Sequence, residues 1–241
     1  MKLHLLDALE RIEVAVRVQV GHVLGRRGAY AYLDPANLDT QFTRSAKGKP
    51  SQYQEWQRRM RSAQQRARED FVTHFSVKYD GRLPTWVVTE ILDFGGVSVL
   101  YSGLKRRDRD EIAADLNVLE SSGAGNGRAL ANWLRVINYI RNICAHHSRL
   151  WNRNMDVQIA PTQLNPTGAL AQLHAGTPQL SRVYGSLCLV LALLREVTDA
   201  HTWERWRDQL VELLTIALSP TGRSLGEMGF PHDWQGWPLW N

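Results

Sequence analysis

Cysteine is nearly absent from this chain. Of its 241 residues only Cys144 and Cys188 carry thiols. Both sit inside apolar helical patterns, not at paired spacings, which excludes a disulfide framework and a CxxC zinc site and fits a reducing cytosol. Long hydrophobic runs are missing as well. The longest, "LCLVLALL" from Leu187 to Leu194, is far short of the ~20 residues that a bilayer span needs, so it reads as core helix and no membrane is expected as a partner. The N-terminus "MKLHLLDALERIEV" meets acidic residues within its first turns and lacks the apolar region and cleavage site of a signal peptide. A cytoplasmic protein is expected. No segment alternates apolar and polar residues for long, and no internal repeat or domain linker stands out. The fold expected is therefore all-α.

Helical patterning is what the chain has in place of these. Leu5, Leu6, Leu9, Ile12, Val16, Val20 and Val23 recur at steps of three and four, which predicts an amphipathic first helix. "SAKGKPS" and "YDGRLPT" break the pattern on either side of a helical stretch from about Gln52 to Phe75, and Pro84 is well placed to start the next helix. That helix is expected to continue through Gly95 and Gly96 as a weak point or a close packing site. After the loop "SSGAGNG" a further helix starts near Ala129, and "IAPTQLNPTG" from Ile159 stops it. Two more helices are expected at about Leu180 to Thr198 and Thr202 to Leu218. The tail "MGFPHDWQGWPLW" carries Trp234, Trp237 and Trp240 and is too aromatic for a solvated end, so it is expected to lie against the bundle.

Charge is unevenly spread. The net charge is +5 and the pI about 9.4, a balance that favours polyanionic partners. Arg44, Lys47, Lys49, Arg58, Arg59, Arg61, Arg66 and Arg68 face a single Glu55, with Tyr53 and Trp56 interleaved. This stretch is expected as a basic insertion or arm, about residues 44–75, of a single domain spanning 1–241. A second knot, "KRRDR", brings Lys105, Arg106 and Arg107 together. Each alone is ordinarily a solvated face, and phosphate contact becomes attractive once another site calls for RNA.

The most informative string is "INYIRNICAHHSRLWNRN", Ile137 to Asn154. Advancing about 100° per residue on a continuous helix puts Asn138, Arg141, Asn142, His146, Arg149, Asn152 and Arg153 on one side. Trp133, Val136, Ile137, Ile140, Ile143, Cys144, His147 and Trp151 fall on the other. The polar face has no carboxylate, which is odd for a solvated surface and sensible for one that meets phosphate. Arginine offers a planar fork to phosphate oxygens, asparagine orients hydroxyls or an imidazole, and histidine exchanges a proton near neutrality. Such a set can help a 2′-hydroxyl attack the adjacent phosphorus without a metal. His146 and His147 point to different faces and read as no chelate, His147 being expected as a core or boundary residue. Cys144 with the two histidines also falls short of a zinc ligand set, so neither metal nor cofactor is expected. From spacing alone, catalysis and a hydrogen-bonded network at a helix or subunit interface stand side by side.

Arg141, Asn142 and His146 form R-N-x-x-x-H, which resembles the arginine-to-histidine motif of HEPN domains, helical ribonucleases of prokaryotic defence and toxin systems. The longer string "RNICAHHSRLWNR" is similar to the signature of the Abi-like (AbiF/AbiD) abortive infection family. "LLDALERIEVAVR" resembles its early helix, "HFSVKYDGRLPTWVVTEILDFGGVSVLYSGL" its central segment, and "MGFPHDWQGWPLW" its ending. Members commonly carry a further N-terminal region, so this chain is expected as a short or start-trimmed member. The resemblance implies a HEPN-type helical bundle with a basic helical insertion and an aromatic C-terminal tail. It implies that His146 transfers protons, Arg141 holds the scissile phosphate and Asn142 orients the site. It also implies a homodimer that pairs two motifs. Arg149, Asn152 and Arg153 share the face by geometry and are expected to contact flanking phosphates, with Arg58, Arg59, Arg61, Lys105, Arg106 and Arg107 as further RNA contacts. Glu10, Glu13 and Arg17 can pair with the motif face, although ordinary ion pairs along the first helix explain them as well.

Three functions follow from these residues. The first is a metal-independent endoribonuclease of an abortive infection or toxin–antitoxin system, acting on cellular or phage RNA. The second is an RNA-binding protein that holds a structured small RNA, as a homodimer or RNA-linked oligomer, without cutting it. The third is a scaffold whose motif face is only a dimer seam, which sets arginines against arginines with no counter-anion.

Overall fold

A computed structural model describes residues 1–165, 168, 170–173, 178–218 and 223–241. Among these the α-helices run α1 Lys2–Gly25, α2 Thr40–Thr43, α3 Gln52–Arg66, α4 Asp70–Lys78, α5 Thr85–Ile91, α6 Phe94–Ser102, α7 Arg106–Asp115, α8 Gly127–Ala145, α9 Pro178–Ser181, α10 Val183–Val197 and α11 Ala200–Leu218. No strand occurs among the described residues; extended pairing is confined to isolated bridges such as Leu38 with Leu104. The all-α expectation holds. The chain forms two compact units, one of residues 13–112 and one of residues 1–12 with 113–241, and the boundaries fall inside α1 and α7 rather than in a linker.

In the unit of residues 13–112, local sequence rules set the helix ends. Ser51 and Gln54 make a reciprocal capping box at the start of α3: the Ser51 Oγ accepts the Gln54 N–H at 3.1 Å and the Gln54 Oε1 accepts the Ser51 N–H at 2.8 Å, satisfying two otherwise orphaned donors. This helix is packed in, not held out as an arm. Tyr53, Trp56 and Met60 line its buried face, the Tyr53 hydroxyl donates to the Tyr32 and Leu33 carbonyls, and the Trp56 Nε1–H donates to the Gly96 carbonyl. The helix expected to continue with a weak point or close packing site at Gly95 and Gly96 is interrupted earlier, at Leu92 and Asp93. There the Asp93 carboxylate caps α6 by accepting the Gly96 N–H at 2.7 Å. A Cβ on Gly96 would stand 2.9 Å from Leu92 Cδ2, so the glycine is the close packing site and the aspartate makes the break.

In the other unit, α10 is the central element: every residue from Val183 to Leu194 is buried, each leucine contributing about 1.5–3 kcal/mol through the water it sheds. From α11, Trp203 donates its indole N–H to the Leu191 carbonyl. Trp206 stacks on His4 of α1 with centroids 4.3 Å apart. The aromatic tail lies against this unit as expected, Trp234 and Trp240 being buried and Trp240 stacked on Tyr184 with its N–H on the Tyr184 hydroxyl at 3.2 Å.

Candidate functional site

The site is built on α8, which Asn126 caps by accepting the Ala129 N–H at 2.9 Å. This helix contains three arginines and no acidic residue. Its core side buries Leu130, Trp133, Leu134, Ile137, Ile140 and Cys144. Asn132 is buried too, and it clamps the segment that follows the helix: its amide donates to the Gln158 carbonyl and accepts the Ala160 N–H. Toward the C-terminal end, Asn138 and Arg141 are half-buried and Asn142 is exposed. These three share a face by helical spacing, and His146 follows one turn after Asn142.

The helix does not run on to Asn154 as the sequence suggests; it ends at Ala145. His147 has φ 54°, its N–H bonds the Cys144 carbonyl at 3.2 Å, and the Ser148 N–H bonds the Ile143 carbonyl at 3.0 Å. This is a Schellman closure with a histidine in the left-handed position that glycine usually takes. Lys2 of α1 adds a cation there, its Nζ 3.0 Å from the His147 carbonyl, where the helix dipole favours positive charge. His146 is thus the C-cap, exposed to solvent, its N–H still on the Asn142 carbonyl at 3.0 Å.

Ending the helix redistributes the other expected residues. Arg149 is exposed. Asn152 adopts φ 49°, and its carboxamide oxygen accepts from the Arg182 guanidinium at 2.6 Å. Arg153 lies over the Tyr139 ring at 5.8 Å and donates to the Tyr139 hydroxyl, which itself donates to Asp156 at 2.6 Å. Asn152 and Arg153 therefore brace the segment after the helix. His147 is exposed, not at a core boundary, and Trp151 is half-buried. Sequence reasoning missed Lys2, Tyr139 and Arg182, because their partners lie far along the chain or beyond the helix end.

The basic residues of the other unit divide. Arg58, Arg61, Lys105, Arg106 and Arg107 are exposed. Arg59 is held by both oxygens of Asp93 at 2.7 and 2.8 Å, and Arg109 of the knot donates to Asp39 and to the Ser102 carbonyl. Tyr53 and Trp56 are core and offer no stacking surface. Glu13 pairs with Arg17 at 2.6 Å along α1, the ordinary arrangement.

Burial pushes the Cys144 thiol up to about 11 and the Cys188 thiol up to about 12, which makes both poor nucleophiles. Among the described residues no three His, Cys, Asp or Glu side chains gather as metal ligands, and no helix is long and apolar enough to cross a membrane. Chemically, the end of α8 presents an arginine fork, a carboxamide and an imidazole on a helix without a carboxylate, a set suited to a phosphodiester.

No curated protein and no solved structure matches the chain. A family model described as Abi-like protein matches residues 1–152, which takes in α1 through α8 and the whole R-N-x-x-x-H motif, and on that match over more than half of its 241 residues the chain belongs to the Abi-like protein family.

Proposed function

We propose that this protein is a metal-independent endoribonuclease of the HEPN type, serving abortive infection of phage-infected cells or a toxin–antitoxin pair. The observation that carries the reading is the C-terminal end of α8, where Arg141, Asn142 and, one turn on, the exposed C-cap His146 follow one another on a helix with no acidic residue. Membership of the Abi-like family supports the defence setting.

The chemistry follows from those groups. A neutral imidazole of His146 takes the proton of a ribose 2′-hydroxyl, the 2′-oxygen bonds to the adjacent phosphorus, and the bond from phosphorus to the 5′-oxygen breaks. An imidazolium returns a proton to that 5′-oxygen. A homodimer supplies both roles from two copies of the motif. Arg141 grips the non-bridging oxygens, where charge builds in the transition state, and Asn142 orients the hydroxyl or the imidazole. The products are a 2′,3′-cyclic phosphate and a 5′-hydroxyl. Mass spectrometry of the fragment ends tests this: cyclic phosphates support the mechanism, and 3′-hydroxyl ends with 5′-phosphates defeat it.

A second reading, that the chain holds a structured small RNA without cutting it, draws on the exposed Arg58, Arg61, Lys105, Arg106 and Arg107. An RNA of one length that stays bound to the purified protein, in the absence of any cleavage, favours it over the nuclease.

A further inference from the structure

The solvent side of α8 carries more than the motif. Arg128 and Arg135 are both exposed, and among the described residues neither guanidinium has a hydrogen-bond or ion-pair partner. Setting Arg128 at zero and advancing about 100° per residue puts Arg135 at about −20°, Tyr139 at about 20° and Asn142 at about −40°. His146 follows one turn later as the C-cap. One face of the helix therefore reads Arg128, Arg135, Tyr139, Asn142 and His146 from its first turn to its last. The proposed cutting site is the C-terminal end of that row.

Spacing and charge decide what fits such a face. Arg128, Arg135 and Asn142 succeed one another at seven residues, about 10 Å along the axis, and the row from Arg128 to His146 is about 27 Å long. No acidic residue occurs in the helix. The carboxylate that a bond places beside the row is Asp156, which accepts from the Tyr139 hydroxyl at 2.6 Å, and Arg153 on the same hydroxyl offsets its charge. Two guanidinium forks in line match the oxygens of successive phosphates. Cationic tracks of this kind hold single strands over about 4–16 nucleotides, and a row of about 27 Å belongs at the short end of that range. A single strand also suits the chemistry. In an A-form duplex the 2′-oxygen stands out of line with the bond that must break, so a strand cut by its own hydroxyl has to leave helical geometry at the cut.

We infer that this face of α8 is the track on which the substrate lies: a single-stranded RNA whose phosphates on one side of the cut are held by Arg135 and, farther out, by Arg128. The inference rests on the reading of His146 as the cutting residue. It adds that the substrate extends about four nucleotides or more to that side. Arg128 and Arg135 hold the strand and take no part in the bond exchange.

The test uses the intact protein and a fluorescein-labelled 2′-O-methyl oligouridine of about ten nucleotides, which lacks the attacking hydroxyl and so reports binding alone. Arg128→Ala and Arg135→Ala each weaken binding about threefold to tenfold and each reduce the slope of log affinity against log salt by about 0.7, with melting unchanged. The matching oligoadenine loses affinity by the same factor, because phosphate contacts carry no sequence information. In the double variant the two losses multiply, the positions being well separated. On RNA that can be cut, the same variants raise KM and leave kcat unchanged. Unchanged affinity and slope in both folded variants overturn the inference. A change of mass in sedimentation with RNA affinity unmoved overturns it too, by giving the face to a second copy of the chain, and so does tighter binding of duplex RNA that is lost in the same variants. Wild-type protein that binds the oligonucleotide through both arginines yet cuts no RNA defeats the nuclease reading and leaves the track standing. Cleavage whose KM neither variant moves defeats the track and leaves the nuclease.

Discussion

Ser148 donates its backbone N–H to the carbonyl of Ile143 at 3.0 Å, and this bond closes the motif helix around its C-cap, the histidine on which the proposed chemistry turns. The two adjacent histidines therefore have different work. His146 caps the helix with its ring in solvent, whereas His147 bends the backbone through φ 54°.

Substituting the bend separates the two roles. A side chain in the left-handed region costs roughly 1 kcal/mol or more, and glycine escapes that cost while loosening the unfolded chain by a comparable amount. His147→Gly is expected to leave the melting temperature unchanged or raise it by a few degrees, and to leave RNA cleavage intact. His147→Val, branched at Cβ, lowers stability by about 1–2 kcal/mol. Thermal melts with a cleavage assay check both, and loss of cleavage in a folded His147→Gly protein would move the catalytic role to the wrong histidine.

The arginines beyond the helix divide in the same manner. Arg149→Ala is expected to weaken RNA binding and to reduce the slope of log affinity against log salt by about 0.7 for one lost single-strand phosphate contact, with no change in melting. Arg153→Ala removes the cation over the Tyr139 ring and its bond to the Tyr139 hydroxyl, so it lowers stability by about 1 kcal/mol and leaves the salt slope unchanged. Salt titrations and melts on both variants distinguish these outcomes, and the reverse pattern would return Arg153 to the RNA.

His4 makes stability depend on pH. Burial lowers its imidazole from the usual 6.5, against the raising effect of the bond its Nε2–H donates to the Trp206 carbonyl. Asp7 also pulls upward and the chain's amino terminus downward. The folded state thus prefers neutral His4, while the unfolded chain takes up a proton below 6.5. Its contribution is fully present above that pH and is lost as pH falls through the lowered folded value. His4→Phe keeps a ring on Trp206 and flattens this part of the curve, measured as the urea midpoint from about pH 7.5 down to 5. A wild-type curve no steeper than the variant's contradicts the account.

Much of this architecture was legible because helical periodicity is local. Leu5, Leu9, Ile12, Val16, Val20 and Val23 of the first stripe, the apolar run of α10, and Trp234 and Trp240 of the tail occupy the buried positions their spacing implies, while Leu6 and Trp237 are half-buried. Asn138 also shares a face with Arg141 and with Asn142, as three-and-four spacing requires. What misled was continuity. A polar pattern that fits about 100° per residue runs past Ala145, yet nothing in composition marks His147 as a left-handed residue, since glycine is the usual signal. The ion pair of Arg59 with Asp93 and the anchoring of Trp56 on Gly96 are contacts between distant segments. They turn a stretch that reads as a basic arm into part of a core.

The central claim is that His146 cuts RNA without a metal. The direct measurement is to incubate wild-type protein and its His146→Ala variant, both verified as folded, with total RNA in the presence of chelator. The account predicts fragments from wild type that persist under chelation and disappear in the variant. Cleavage by the variant at the wild-type rate, or cleavage that stops on chelation, would contradict it.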